Sequence, residues 1–160
     1  MINKNKSEGT QMKLAIGSDH GGFELKQVVM ELLREEGVDY TDMGPETAES
    51  VDYPVYGQKV AEAVASGEYD RGIAICGTGV GISIAVNKVP GIRGSLCTNE
   101  YMAEMTRRHN DSNVLVLGGR VLGDDLAKNI VKTWLHTEFE GGRHQRRIDM
   151  IGDIEKKYDK

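Results

Sequence analysis

Residues 72–83 read Gly-Ile-Ala-Ile-Cys-Gly-Thr-Gly-Val-Gly-Ile-Ser. A short apolar run that ends in glycines and passes into helix-period sequence marks a buried strand feeding a helix. The strand here is Gly72–Cys76, and the helix begins near Gly79 and runs to about Lys88. Further apolar runs lie at Met12–Gly17, Val38–Asp42, Ile92–Cys97 and Val114–Leu117. Several are nearly continuous hydrophobics, as expected of parallel strands covered on both faces.

Amphipathic segments separate these runs. Leu25, Val28, Val29, Leu32 and Leu33 fall at helical spacing ahead of Gly37, a C-terminal capping signal. A second helix starts at Pro54 and carries Val60, Ala61 and Val64. A fourth spans roughly Asn99–His109, and a fifth starts near Asp124 and is expected to bury Leu126, Ile130, Trp134 and Leu135. Strand and helix alternating in this way predict a doubly wound α/β fold, a three-layer sandwich around a five-stranded parallel sheet. Ligands bind such sheets at the carboxyl ends of the strands, near the switch point in strand order. Beyond Gly141, Ile148, Ile151, Ile154 and Tyr158 make a narrow apolar stripe on a charged segment. It predicts an extra C-terminal helix that folds back on its own domain or docks on a second subunit. Docking is the preferred expectation, because five α/β units already complete the sheet.

The chain of 160 residues suits one domain, placed at 12–160, with residues 1–11 a polar, disordered extension. Apolar residues at 39% and charged residues at 28% are an ordinary soluble balance. The net charge of −5 argues against a nucleic-acid partner but leaves room for a small anion held by a few arginines. Cys76 and Cys97 are too few for a disulfide framework and read as reduced thiols, which suits a cytoplasmic protein. No secretory h-region and no membrane span is legible.

Four segments carry candidate chemistry. Asp19 and His20 follow the first strand, at its carboxyl end, beside a helix start that attracts anions. An N-capping Asp19 and a solvated His20 explain them equally well. Cys76 stands at the end of the third strand, and Gly77, Gly79 and Gly81 let backbone N–H groups converge on an anion or oxyanion. A helix start nearby favours a thiolate. On position alone, a cysteine there is more often a small buried hydrophobe. The spacing is neither a Walker A motif nor the GxGxxG of dinucleotide binders, which disfavours ATP and nicotinamide cofactors. His109 and Asn110 lie in a polar segment before the fifth strand. His109 suits acid–base work near neutral pH or, slightly more often, a charged imidazole at a helix C-terminus. Arg120 follows Gly118-Gly119, and Arg143 and Arg147 are one helical turn apart in the tail. They could face one phosphate, although most such clusters are solvated. No metal-ligand spacing occurs.

Taken together, SDHGG, DYPVYG, ICGTGVGISIAVNKVPGIR, RRHNDSNVL, GGRVLG and EGGRHQRR closely resemble the type B ribose-5-phosphate isomerases, over about residues 12–155. That family also holds galactose-6-phosphate isomerase subunits and allose-6-phosphate isomerases. The resemblance implies a Rossmann-like fold, no metal or organic cofactor, and a homodimer or dimer of dimers with active sites at the subunit interface. It implies Cys76 as the base and Thr78 in binding or proton handling at the reacting oxygens. It further implies His109 in ring opening and Asp19 on the sugar hydroxyls. His20, Arg120, Arg143 and Arg147 match phosphate-handling positions, and Tyr53, Gly77, Gly79, Gly81 and Asn110 complete the implied substrate-binding set. The expected reaction is the interconversion of ribose 5-phosphate and ribulose 5-phosphate by proton transfer through an enediolate. A six-carbon substrate such as galactose 6-phosphate or allose 6-phosphate is the alternative, and a non-catalytic sugar-phosphate-binding module the more distant one.

Overall fold

A computed structural model describes residues 11–159 of the protein. Apart from Gln11, the expected N-terminal extension lies outside the described residues. Five strands, β1 (Lys13–Ser18), β2 (Asp39–Asp42), β3 (Arg71–Cys76), β4 (Gly94–Leu96) and β5 (Val114–Gly118), form one sheet in the order β2-β1-β3-β5-β4. Every pairing is parallel. Six helices accompany them: α1 (Phe23–Glu35), α2 (Tyr53–Ala65), α3 (Val80–Val86), α4 (Glu100–Asn110), α5 (Asp124–His136) and α6 (Arg143–Tyr158). The fold is the expected doubly wound α/β sandwich.

Strand alternation divides the core by size. Leu14, Ile16, Ile73, Ile75, Leu115 and Leu117 point to one face, where they pack with Leu25, Val29 and Leu33 of α1 and Ile130, Val131 and Trp134 of α5. Ala15, Ala74, Cys76, Val114 and Val116 point to the other, against Val60, Ala61 and Val64 of α2 and Ile82 and Val86 of α3. Each fully buried Leu or Ile contributes on the order of 1.5–3 kcal/mol. Smaller residues on the second face bring α2 and α3 close to the sheet, and Cys76 belongs to that face.

Several expectations shift in register. α2 begins at Tyr53, with Pro54 inside its first turn. β4 is shorter than Ile92–Cys97, because the Arg93 N–H bonds the Asn113 side chain at 2.7 Å instead of a strand. Leu126 was expected in the core but is 39% exposed. Ile130, Trp134 and Leu135 are buried as expected, joined by Ala127 and Val131, and Leu126 falls at the exposed edge of that stripe. The C-terminal helix forms as expected. Of its apolar stripe only Ile148 is buried, while Ile151, Ile154 and Tyr158 stay exposed.

The strand order reverses between β1 and β3, the two central neighbours from which the chain winds outward in opposite directions. A crevice therefore opens at their carboxyl ends. Buried Lys26 secures the chain beside it, its Nζ donating to Asp42 Oδ1 at 2.8 Å and to the Pro45 carbonyl at 2.6 Å.

Candidate active site

The crevice gathers most of the expected residues. Asp19 leaves β1 with its N–H on the Ile75 carbonyl at 3.1 Å, which stitches the two strand ends together. Its carboxylate is buried and accepts the Gly22 N–H at 3.0 Å. The N-capping role and a site-facing carboxylate are thus both available to Asp19. His20 is half-buried, its Nδ1 at 3.2 Å from the Val51 backbone. A Cβ on Gly21 would stand 3.0 Å from Gly77 Cα, so the first and third loops touch.

Cys76 ends β3 with its thiol buried, and the Gly79 N–H donates to its sulfur at 3.2 Å. Gly79 has φ +81°, a left-handed conformation that glycine adopts at little cost. That conformation turns the chain into α3 directly after the N–H that meets the sulfur. Thr78 is exposed on the same turn, its Oγ1 accepting the Val80 N–H at 3.2 Å. Tyr53, at the start of α2, lays its ring over Gly81, 2.8 Å from where a Cβ would stand. The Arg120 N–H bonds the Gly77 carbonyl at 2.9 Å. The Arg120 guanidinium covers Gly77, 3.3 Å from its Cβ position. The turn therefore has an acid beside it, an exposed hydroxyl on it and a cation above it.

His109, Asn110, Arg143 and Arg147 are elsewhere. α4 returns from the carboxyl end of β4 to the amino end of β5, and the Asn110 carbonyl accepts from Arg93 Nε at 2.9 Å, just before β4 begins. The last turn of α4 thus lies at the amino edge of the sheet. A strand of six residues separates that edge from Cys76 by about 20 Å. α6 starts on the same side, since the Glu140 N–H bonds the Arg108 carbonyl at 3.1 Å. Arg143 and Arg147 are exposed one turn apart at the head of α6, where the helix N-terminus adds to their attraction for anions. One chain therefore carries two separate clusters.

The second cluster contains two residues that sequence reading missed. His144 is buried at 5% exposure, stacks on His109 with ring centroids 4.3 Å apart and 14° between planes, and sets its Nε2 3.2 Å from Glu140 Oε2. His109, Glu140 and His144 each offer one donor atom, all within 4.8 Å of one another. Nearly parallel rings suit a shared ion poorly. An ion about 2.0–2.1 Å from both nitrogens could not lie in both ring planes. The motif GGRHQRR reads as an arginine cluster, and nothing in its spacing links its histidine to His109.

A buried thiol, a buried acid and a guanidinium thus meet at the carboxyl ends of the strands of a doubly wound α/β protein, where ligands bind such folds. A sequence profile described as Ribose/Galactose Isomerase matches residues 14–151. Ribose-5-phosphate isomerase B of Escherichia coli (strain K12) is 53% identical over 145 residues, covering 91% of this chain and 97% of that protein. D-erythrulose-4-phosphate isomerase of Pectobacterium atrosepticum is 39% identical over 145 residues, covering 90% and 95%. A solved structure of Clostridium thermocellum ribose-5-phosphate isomerase B superposes with a TM-score of 0.91 at 62% identity, covering 92% of this chain and all of that one. The chain belongs to the ribose/galactose isomerase family. It is an enzyme, an aldose–ketose isomerase of sugar phosphates.

Proposed function

We propose that the chain interconverts ribose 5-phosphate and ribulose 5-phosphate through an enediolate, with Cys76 as the base, in a cytoplasmic homodimer that needs no metal or organic cofactor. The observation that carries this reading is the Cys76 sulfur held 3.2 Å from the Gly79 N–H, inside the crevice at the switch point of the sheet.

In this reading the Cys76 thiolate takes the C2 proton of the open aldose. The C2–H electrons form the C1=C2 bond and the carbonyl electrons move to O1, where backbone N–H groups of the glycine turn stabilise the charge. The thiol then returns its proton to C1. The O2 proton passes to O1, a transfer suited to the Thr78 hydroxyl, and C2 becomes the ketone. Asp19 holds sugar hydroxyls, and Tyr53 walls the glycine turn.

The two separated clusters support the interface reading. Ring opening by His109, and phosphate capture by Arg143 and Arg147, reach Cys76 only if a second copy supplies them. Arg120 and His20 would meet the same phosphate from the crevice side, and Asn110 would contact the sugar beside His109. Exposed apolar residues at each cluster, Val80 and Ile84 on α3 and Ile151 and Ile154 on α6, suit a covered surface.

The deciding assay is conversion of ribose 5-phosphate to ribulose 5-phosphate, with chelator present, for wild type and Cys76→Ala. Turnover by wild type and its loss of roughly 10²–10⁴-fold in the variant are expected. A wild type inactive on this sugar but active on galactose 6-phosphate or allose 6-phosphate moves the substrate to six carbons.

A further inference from the structure

We infer that His144, fixed by Glu140, is a positioning residue that orients His109 for ring opening; the inference rests on the role proposed for His109.

His109 sits in the last turn of α4 and is only half-buried, so its own helix leaves the ring free to swing about χ1 and χ2. His144 removes that freedom on one side. Its ring lies flat against His109, with 4.3 Å between centroids and 14° between planes, as an offset-stacked pair of flat rings does. A wall positions only if it is itself fixed. His144 is 5% exposed, and its Nε2 is 3.2 Å from the Glu140 carboxylate. Glu140 is tied back to α4 by its N–H on the Arg108 carbonyl at 3.1 Å, and its carboxylate faces Arg108 Nε at 3.9 Å.

The link between Glu140 and His144 is a tight turn through Gly141 and Gly142, at φ +70° and +58°. Two successive left-handed residues are open to glycine and costly for other side chains. The turn sets Glu140 and His144 face to face across the start of α6. His144 also falls between Arg143 and Arg147 on the helix. The same first turns of α6 thus carry the ring that stacks on His109 and the arginines meant for the phosphate.

Stacking that only holds up the fold would act on stability. Positioning acts on turnover, and only while His109 is present. The experiment is a double-mutant cycle with ribose 5-phosphate: wild type, His144→Ala, His109→Asn and the double variant, with melting temperatures for each. His144→Phe, which keeps a flat ring without the Glu140 pair, and Glu140→Gln complete the set. His144→Ala is expected to lower kcat roughly 10–100-fold with a smaller change in KM. In the His109→Asn background the same change should cost less than about twofold. His144→Phe should recover part of the loss. Equal losses in both backgrounds, or a loss in KM alone, would overturn the inference.

A second readout needs no turnover. The His109 ring proton resonance, shifted by the stacked neighbour, should move in His144→Ala and stay close to wild type in His144→Phe. A resonance that ignores His144→Ala overturns the stacking whatever the activity. A wild type inactive on ribose 5-phosphate defeats the substrate reading, and a His109→Asn variant of full activity defeats the role of His109. Each is distinct from a failure of His144.

Discussion

The Gly79 N–H donates to the Cys76 sulfur across 3.2 Å, and Gly79 then turns the chain into α3 through a left-handed φ of +81°. A methyl group at this position would meet Leu96 Cδ1 at 2.5 Å and the Leu117 carbonyl carbon at 3.0 Å. Gly79→Ala is expected to lower stability by about 1–3 kcal/mol, from backbone strain and the close approach together. If the turn carries the oxyanion donors as proposed, kcat should fall by a further 10-fold or more, on the order of a lost donor. Denaturant melts and initial rates on the same preparation check both. Normal turnover in a destabilised variant would remove the turn from catalysis.

The two thiols should behave differently. Burial raises the Cys97 thiol from 9.0 to about 12, because the thiolate would lose its hydration. At pH 8 Cys97 should resist iodoacetamide in the folded protein, while Cys76 is labelled and is shielded by ribose 5-phosphate. Peptide mass spectrometry after timed quenching reads the two sites separately. The same shift affects stability. Below pH 9.0 the thiol is protonated in both folded and unfolded chains. Above it the unfolded chain ionises first, so stability is lost progressively between pH 9 and about 12. Cys97→Ala should lose less stability than wild type over pH 9–10.5. Parallel curves would contradict the shift.

The fold was legible because its signals are local. Each strand is a short apolar run, and helix starts and stops carry Pro54, Asn99 and Gly37 where capping chemistry requires them. Asn99 does accept the Met102 N–H at 2.8 Å, and Gly37 does follow α1. Leu126 misled because it lies four residues before buried Ile130, at the edge of the stripe, where helical spacing does not decide burial; Ala127 takes the core position there. The crevice was legible for the same local reason, since Asp19 and Cys76 each follow a strand directly. The separation of His109 from Cys76 was not legible from spacing. It arises from topology, as α4 carries His109 back to the amino edge. The His109–His144 stack joins segments far apart in sequence, and no local pattern encodes it.

Arg147 is exposed on the first turns of α6, one turn beyond Arg143. If the pair holds the phosphate, its binding energy is available to orient the reacting carbons, so its loss should harm turnover as well as affinity. Arg147→Ala is expected to lower kcat/KM for ribose 5-phosphate by roughly 10²-fold, about the cost of a charge-assisted hydrogen bond of 1.5–3 kcal/mol. Unphosphorylated ribose should be affected much less, so discrimination between the two sugars shrinks. Full activity of the variant on ribose 5-phosphate would remove Arg147 from the phosphate site.

The placement of Cys76 and His109 at opposite ends of the sheet makes the strongest test one of mixing. Cys76→Ala and His109→Asn should each be nearly inactive alone. If every site pairs Cys76 of one subunit with His109 of the partner subunit, a mixed dimer has one site with both residues intact and one site lacking both. Refolding the two variants together in equal amounts gives half mixed dimers, so activity should return to about a quarter of wild type. A site built within one chain predicts no recovery at any ratio, because every chain carries one lesion. Refolding with a tag on one variant, then isolating the mixed species, should raise the specific activity to about half of wild type. Mixed dimers that form and stay inactive would show that His109 acts within its own chain, or not at all, and would return the second cluster to a structural role.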